Sequence, residues 1–293
     1  MLLFRSSVIY FDIVYRGRYN PVSNYSYISV MTNQSFYPGL CALNYSLKRV
    51  SAKYPLKVVV PDDISHEVIT LIENLHLEVI KVPNLTLPDE IQQLNSSQRW
   101  NQTFFKLQIF NLVQFDKIVF LDLDMIVVQN IDELFEKPHM AAVAAGYCAH
   151  STWTRLNSGL MVIEPGIVFY RQLIDSIVPA CKERLSKSLG YGDQDVINYC
   201  IPDWWERKEL VLPEIYNAVI FDFDKVCRAY NYSNLCVIHY AENRKPWNFA
   251  AWRMIRHIIY SFLKGKVNRA KMCCKYWWYV AHSCPDYLKY SWH

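Results

Sequence analysis

Apolar residues fall in short runs separated by polar, helix-spaced stretches, and this alternation predicts an α/β fold. Residues 27–31 form a strand-like run. The polar turn Thr32-Asn33-Gln34-Ser35 then leads to Pro38, which suits the first turn of a helix reaching about Val50. Residues 57–60 predict a second strand ended by Pro61-Asp62-Asp63, residues 64–75 have helical spacing, and Glu78–Val82 returns to strand. Residues 84–99 are polar and proline-containing, as expected of a surface loop. Residues 104–115 predict a helix, followed by Lys117–Leu121, whose unbroken apolar run marks a strand buried on both faces. Further strand-like runs stand at 141–145, 160–163, 210–212 and 236–238, and helices fit 168–184 and 193–199. Strands and helices in this order predict a mostly parallel central sheet.

Composition narrows the class. With 52% hydrophobic and 20% charged residues the chain is neither disordered nor low-complexity. A net charge of +4 over 293 residues gives no reason to expect nucleic-acid binding. The 21 tyrosines and 9 tryptophans suit carbohydrate ligands, whose C–H faces stack on flat rings, although aromatics mostly fill cores. Nine cysteines without a paired CxxC framework point to a reducing compartment. Cys273, Cys274, His282 and Cys284 crowd the C-terminus but lack zinc-finger spacing. Residues 1–15 are apolar, yet Arg5 and Asp12 interrupt them and no small-residue cleavage site follows. The expected location is therefore cytoplasmic.

The sharpest chemical feature is Asp122-Leu123-Asp124, placed where the buried strand runs out. Ligand sites in open α/β sheets lie outside the carboxyl ends of strands, and residues two apart in extended chain project to the same side. Both carboxylates can thus face one hard cation, magnesium or manganese, of the kind that bridges protein to a nucleotide diphosphate. An isolated Asp-x-Asp is more often two solvated loop residues; its position here favours the site. His239, ending the run 236–238, is the candidate third ligand, and an imidazole beside carboxylates favours manganese. Lys245, in Lys245-Pro246-Trp247-Asn248, could neutralise a leaving phosphate; an exposed turn lysine is the competing reading.

These residues, taken in order, resemble the glycogenin-like retaining glycosyltransferases of family eight. The resemblance covers residues 27–248. It runs through Met31-Thr32-Asn33, Lys106-Leu107, Phe120-Leu121-Asp122-Leu123-Asp124, Asn130-Ile131-Asp132-Glu133-Leu134-Phe135 and Leu156-Asn157-Ser158-Gly159. It continues through Gly192-Asp193-Gln194-Asp195, Leu212-Pro213-Glu214-Ile215-Tyr216-Asn217, and His239 followed by Arg244-Lys245-Pro246-Trp247-Asn248. The resemblance implies a GT-A fold, a UDP-hexose donor (UDP-glucose or UDP-galactose), and manganese, or magnesium in its place, held by Asp122, Asp124 and His239. It also implies that Thr32, Asn33 and Phe36 meet the nucleoside and that Lys106 lies near the donor. Asn157, Asp193 and Gln194 would surround the transferred sugar, and Lys245 would touch the diphosphate. Two departures stand out: Phe36 replaces a uridine-stacking tyrosine, and Asp224 falls near the tyrosine that glycogenin glucosylates on itself, which puts self-glucosylation in doubt.

The expected activity is retaining transfer of a hexose to a carbohydrate, polyol or protein hydroxyl, with Asp193, Gln194 and Lys245 as catalytic residues. Asp193 is a candidate nucleophile, and front-face attack is the other route to retention. A nucleotide-sugar hydrolase and a catalytically silent binder on the same fold are the rival readings. The expected organisation is an N-terminal extension at 1–26, a glycosyltransferase domain at 27–248 and a helical extension at 249–293. In that extension Ala251, Ile255, Ile258 and Phe262 share one helical face, and Arg253, Arg256, His257, Tyr260 and Lys264 the other. Such a basic amphipathic helix either packs on the catalytic domain or docks a membrane surface or partner. A homodimer is an open expectation.

Overall fold

The computed structural model of the protein describes residues 23–94, 103–242, 245–248 and 251–284. Strands β1 (Tyr25–Val30), β2 (Leu56–Pro61), β3 (Glu78–Val82) and β4 (Lys117–Leu121) lie parallel, with β1 between β2 and β4. Helices α1 (Tyr37–Arg49) and α2 (His66–Glu73) make the crossovers, as the hydrophobic spacing predicts. Within the polar stretch expected as loop, Asp89–Leu94 forms α3, whose opening Asp89 and Glu90 suit a helix N-terminus. The helix expected over 104–115 is instead a tight 3-10 turn sequence, Phe105–Asn111.

Past β4 the sheet becomes mixed. After β5 (Met125–Val127) and β6 (Ala142–Val143), β7 (Asn157–Ile163) runs antiparallel to both β4 and β6, and β8 (Val211–Leu212) joins β6 in parallel. The full order is β3-β2-β1-β4-β7-β6-β8, so four of six pairings are parallel. The β4 run explains why the sheet has two cores. Ile118 and Phe120 join an apolar cluster with Phe110 and Trp204, while Val119 and Leu121 join one with Tyr27 and Leu43 on the other face.

The helix expected over 168–184 is broken at Ser176 into α4 (Ile167–Asp175) and α5 (Ile177–Ser186), and Pro179 sits in the first turn of the second, where its missing N–H costs little. Helix α6 (Asp193–Cys200) begins where expected. A second, small sheet contains the expected run at 236–238, but its other two strands, β5 and β9, have no counterpart in the hydrophobic pattern. There β9 (Ala218–Val219) and β10 (Val237–His239) join β5 in the order β5-β10-β9, and the register sets His239 opposite Met125, one residue from Asp124. Helices α7 (Phe223–Tyr230), α8 (Ala251–Leu263) and α9 (Val267–Ser283) complete the described chain. Helix α9 packs against α1 and α7, and its Tyr276 is buried in a third cluster with Ile238, Phe223 and Trp247.

Helix α1 approaches the Asp-x-Asp turn closely at Gly39, where a Cβ would stand 2.6 Å from the Leu123 carbonyl oxygen and 2.9 Å from the Trp247 ring. Backbone cannot yield as a side-chain tip can. Gly39→Ala is therefore expected to lower stability by about 1–3 kcal/mol, the usual cost of overpacking, read as a lower denaturation midpoint at unchanged slope. An unchanged midpoint would mean that the turn moves freely.

Candidate active site

The carboxyl ends of β1 and β4, the start of β7 and the N-terminus of α6 surround a cavity of about 600 Å³. Asp122 and Asp124 stand on the turn that follows β4, held by the Asp122 N–H donating to the Gly159 carbonyl (2.8 Å) and the Met125 N–H to the Asp122 carbonyl (3.2 Å). Asp122, Asp124 and His239 each offer a ligand atom within 4.8 Å of the others, and no other such group of three occurs among the described residues.

His239 is oriented by a relay. Asn217 donates its Nδ2–H to Asn157 Oδ1 (2.9 Å), which leaves its Oδ1 to accept from His239 Nδ1 (2.9 Å). Asn157 Oδ1 is itself fixed by the Gly159 N–H (3.0 Å). With Nδ1 as donor, the lone pair of the imidazole is at Nε2, 3.2 Å from Asp124 Oδ1. Two acceptors then face each other unless something positive stands between them: a proton on Nε2, in which form His239 stabilises the Asp124 charge, or a metal cation in its place. Two carboxylates and an imidazole so oriented fit a divalent ion of the manganese or magnesium kind. Gly159 is required here, because a Cβ would lie 2.7 Å from both His239 Cε1 and Met125 Cε.

Two lysines close the charge pattern. Lys106 Nζ lies 2.8 Å from Asp122 Oδ1 and 3.1 Å from Asp193 Oδ2, and Lys245 Nζ lies 2.6 Å from Asp124 Oδ2. Burial alone would pull the Lys106 pKa down, but Asp122 and Asp193 outweigh it and raise it above the ordinary value. Burial pushes Asp122 up, and the neighbouring Asp124 charge adds to that against Lys106. Burial also opposes ionisation of Asp124, yet His239 and Lys245 prevail and hold it well below the usual carboxylate range.

On the opposite wall, Asp193 Oδ2 accepts from Ser158 Oγ (2.7 Å), and Gln194 Oε1 accepts from the Ser158 N–H (3.2 Å). The cavity lining includes Thr32, Phe36, Lys106, Asp122, Asp124, Asp193, Gln194 and Lys245 from the sequence reading. Asn33 and Asn157 do not line it. Asn33 caps the short turn before Phe36 by accepting from the Ser35 N–H (3.0 Å), and Asn157 serves the His239 relay. Sequence reasoning gave no role to Ser158 or Asn217, which make the connections between Asp193, Gln194, Asn157 and His239. The only signal for them was their place in two of the quoted motifs.

A mostly parallel sheet with an aspartate pair at the end of its central strand and a histidine brought in from a second sheet defines a GT-A glycosyltransferase. The chain belongs to glycosyl transferase family 8, whose sequence profile matches residues 27–251. It is 28% identical over 246 residues to the uncharacterized protein R707 of Acanthamoeba polyphaga mimivirus, covering 78% of this chain and 84% of that one. It is 28% identical over 247 residues to glycogenin-1 of Caenorhabditis elegans, covering 79% of this chain but 55% of the relative. Galactinol synthase 6 of Arabidopsis thaliana is 25% identical over 295 residues, covering 88% and 81%. Among solved structures, the galactosyltransferase LgtC with donor and acceptor sugar analogues superposes with a TM-score of 0.58 at 15% identity, covering 88% of this chain and 96% of that one. That likeness concerns the fold.

Asp124→Asn keeps side-chain size and removes the charge shared by His239 and Lys245. The folded variant is expected to bind manganese at least about tenfold more weakly by calorimetry. Wild-type affinity in a folded Asp124→Asn protein would remove the Asp-x-Asp turn from the metal site.

Proposed function

We propose that the protein transfers a hexose, with retention of anomeric configuration, from UDP-glucose or UDP-galactose to a carbohydrate, polyol or protein hydroxyl. The observation that carries this reading is the convergence of Asp122, Asp124 and Lys245 at one side of a cavity whose other side is Asp193 and Gln194, with the buried His239 in reach of Asp124 and outside the cavity lining. The first group suits a diphosphate and the second a sugar. Membership of the family and the relatives named above agree with a nucleotide-sugar donor. The nine cysteines, without a paired CxxC framework, are consistent with a cytoplasmic setting.

Manganese, or magnesium, on Asp122, Asp124 and His239 would supply Lewis-acid stabilisation of the diphosphate. Lys245 meets the charge that grows on the β-phosphate as the sugar C1–O bond breaks. Thr32 and Phe36 fall to the nucleoside end, and Asn33 caps the turn that carries Phe36; the Phe36 ring stands edge-on to Trp247 with centroids 6.3 Å apart, which holds it for stacking. Lys106 keeps Asp122 and Asp193 together within the reach of one ammonium. Gln194 and Asp193 face the sugar as it gains oxocarbenium character.

Asp193 Oδ2 already accepts from an ammonium and a hydroxyl, which weakens it as a nucleophile. We therefore favour front-face attack. The acceptor oxygen bonds to C1 on the side from which the diphosphate departs, and the acceptor proton passes to the leaving phosphate oxygen. Mass spectrometry of products from a panel of UDP-sugars and acceptors with manganese tests the reading. UDP release that no acceptor stimulates would make the protein a hydrolase, and no turnover with any donor would make it a binder.

Lys245→Ala is expected to lower kcat more than it raises KM, because the charge it meets is larger in the transition state than in the bound donor. A pure KM effect would assign Lys245 to uniform phosphate binding. Self-glucosylation is not expected. Asp224 lies on α7 and does not line the cavity, nor do Tyr230 and Tyr232. Intact mass after incubation with UDP-glucose and manganese should show no hexose ladder; a ladder mapping to either tyrosine would restore a primer role.

A further inference from the structure

The sequence left open whether the apolar face of α8 packs on the catalytic domain or docks elsewhere, and in the structure it packs inward only in part. Ser261 is buried at 2% exposure and Ile258 is half-buried, but Ile255, Ile259, Phe262 and Leu263 are 54, 53, 62 and 77% exposed. At 100° per residue these four side chains fall within about 100° of arc, so they form one continuous ridge rather than scattered surface residues. The helix is seated through the edge of its apolar stripe, and the centre of the stripe faces outward.

Beside this ridge lies an apolar groove of about 720 Å³, lined by Ile255, Ile258, Trp278, Arg49, Lys271 and Lys275 among others, with no carboxylate among its described lining residues. Burial, and then the neighbouring Arg49 charge, hold the Lys275 pKa below its ordinary value, as expected where cations gather without an anion. The imbalance extends along both helices: residues 251–284 contain seven lysines and arginines and no aspartate or glutamate. Of these, Arg269 is satisfied by Glu242 at 2.5 Å, whereas Arg256, Lys264, Lys266 and Lys271 are exposed. None of the groove residues lines the active-site cavity.

We propose that the ridge Ile255, Ile259, Phe262 and Leu263, with the basic groove beside it, docks the protein on the surface of an anionic lipid bilayer. An interfacial helix needs an apolar strip to enter the acyl boundary and cations at headgroup level, and the two features here are adjacent. Charge complementarity selects the anionic surface over a neutral one. Among the described residues no helix is long and apolar enough to cross a membrane, so attachment is peripheral and reversible. It would carry the transferase to acceptors held at that surface.

Co-sedimentation of the full-length protein with vesicles tests the proposal. Binding to phosphatidylserine-containing vesicles is expected at low salt, weakened at high salt, and absent from pure phosphatidylcholine. Phe262→Asp should reduce binding at least about tenfold, and Lys271→Glu with Lys275→Glu should do so separately, each removing one of the two required terms. UDP release in solution should be unchanged in Phe262→Asp, which shows that the variant is folded and keeps this test apart from that of the transferase reading. No binding to anionic vesicles overturns the proposal. So does a wild-type dimer that Phe262→Asp converts to monomer, since the ridge would then be covered by a second copy.

Discussion

Placing three carboxylates and two ammonium groups together at the inner end of a buried strand is the constraint on which the structure turns. Asp122, Asp124 and Asp193 are countered by Lys106 and Lys245, each within 3.1 Å of its partners. Desolvating such charges costs several kcal/mol apiece unless pairing and hydrogen bonds are well set, so small errors in position are expensive. Ser158 supplies two of those hydrogen bonds, its hydroxyl donating to Asp193 Oδ2 and its carbonyl accepting from Lys106 Nζ (3.3 Å), while the Gly159 carbonyl holds the Asp122 backbone N–H. With a neutral imidazole the cluster holds one more negative charge than positive, which is the electrostatic condition for recruiting a cation rather than a second anion.

The small sheet follows from this constraint. A strand of the main sheet could not deliver a third ligand to the same point, because β4 already ends there and its neighbours are occupied by β1 and β7. Pairing β10 with β5 solves the problem by register, His239 opposite Met125. The Tyr240 N–H donates to the Asp124 carbonyl at 2.8 Å, and the Tyr240 hydroxyl donates to the Met272 carbonyl on α9 at 2.8 Å. Trp247, two residues from Lys245, stacks on Tyr276 with centroids 6.2 Å apart. Helix α9 therefore buttresses two of the segments that bear active-site groups, from the side opposite the cavity.

What could be read from the sequence was what a local pattern encodes. Lys117–Leu121 was legible because burial on both faces demands an unbroken apolar run, and Asp122 and Asp124 were legible because they end it. The antiparallel entry of β7 was not, since its residues would be equally apolar in either direction. Strands β5 and β9, of three and two residues, are too short for a period to reveal them. The roles of Asn157 and Asn217 were illegible for another reason. Their function is a hydrogen bond across 60 residues of sequence, and only the fold says that the Asn157 carboxamide turns toward Asn217 and away from the cavity.

The amphipathic period of α8 was legible in the sequence while the direction of its apolar face was left open, and bulk charge said as little about where the cations gather. The net charge of +4 averages −3 over residues 1–248 and +7 over residues 249–293. A local excess of that size ordinarily suggests a polyphosphate backbone, yet the geometry separates nucleic acid from lipid. Phosphate backbones are followed by cations in a polar track, with aromatic rings offered to bases. Here the cations flank branched aliphatic side chains and a phenyl ring that are exposed together on one ridge, and Trp278, 40% exposed, already has Arg49 at 5.4 Å and the His282 ring at 4.0 Å from its own. An aliphatic ridge gains nothing from a nucleic acid and much from an acyl boundary, so the same positive charge that composition dismisses as unremarkable acquires a direction once the exposed carbon beside it is known.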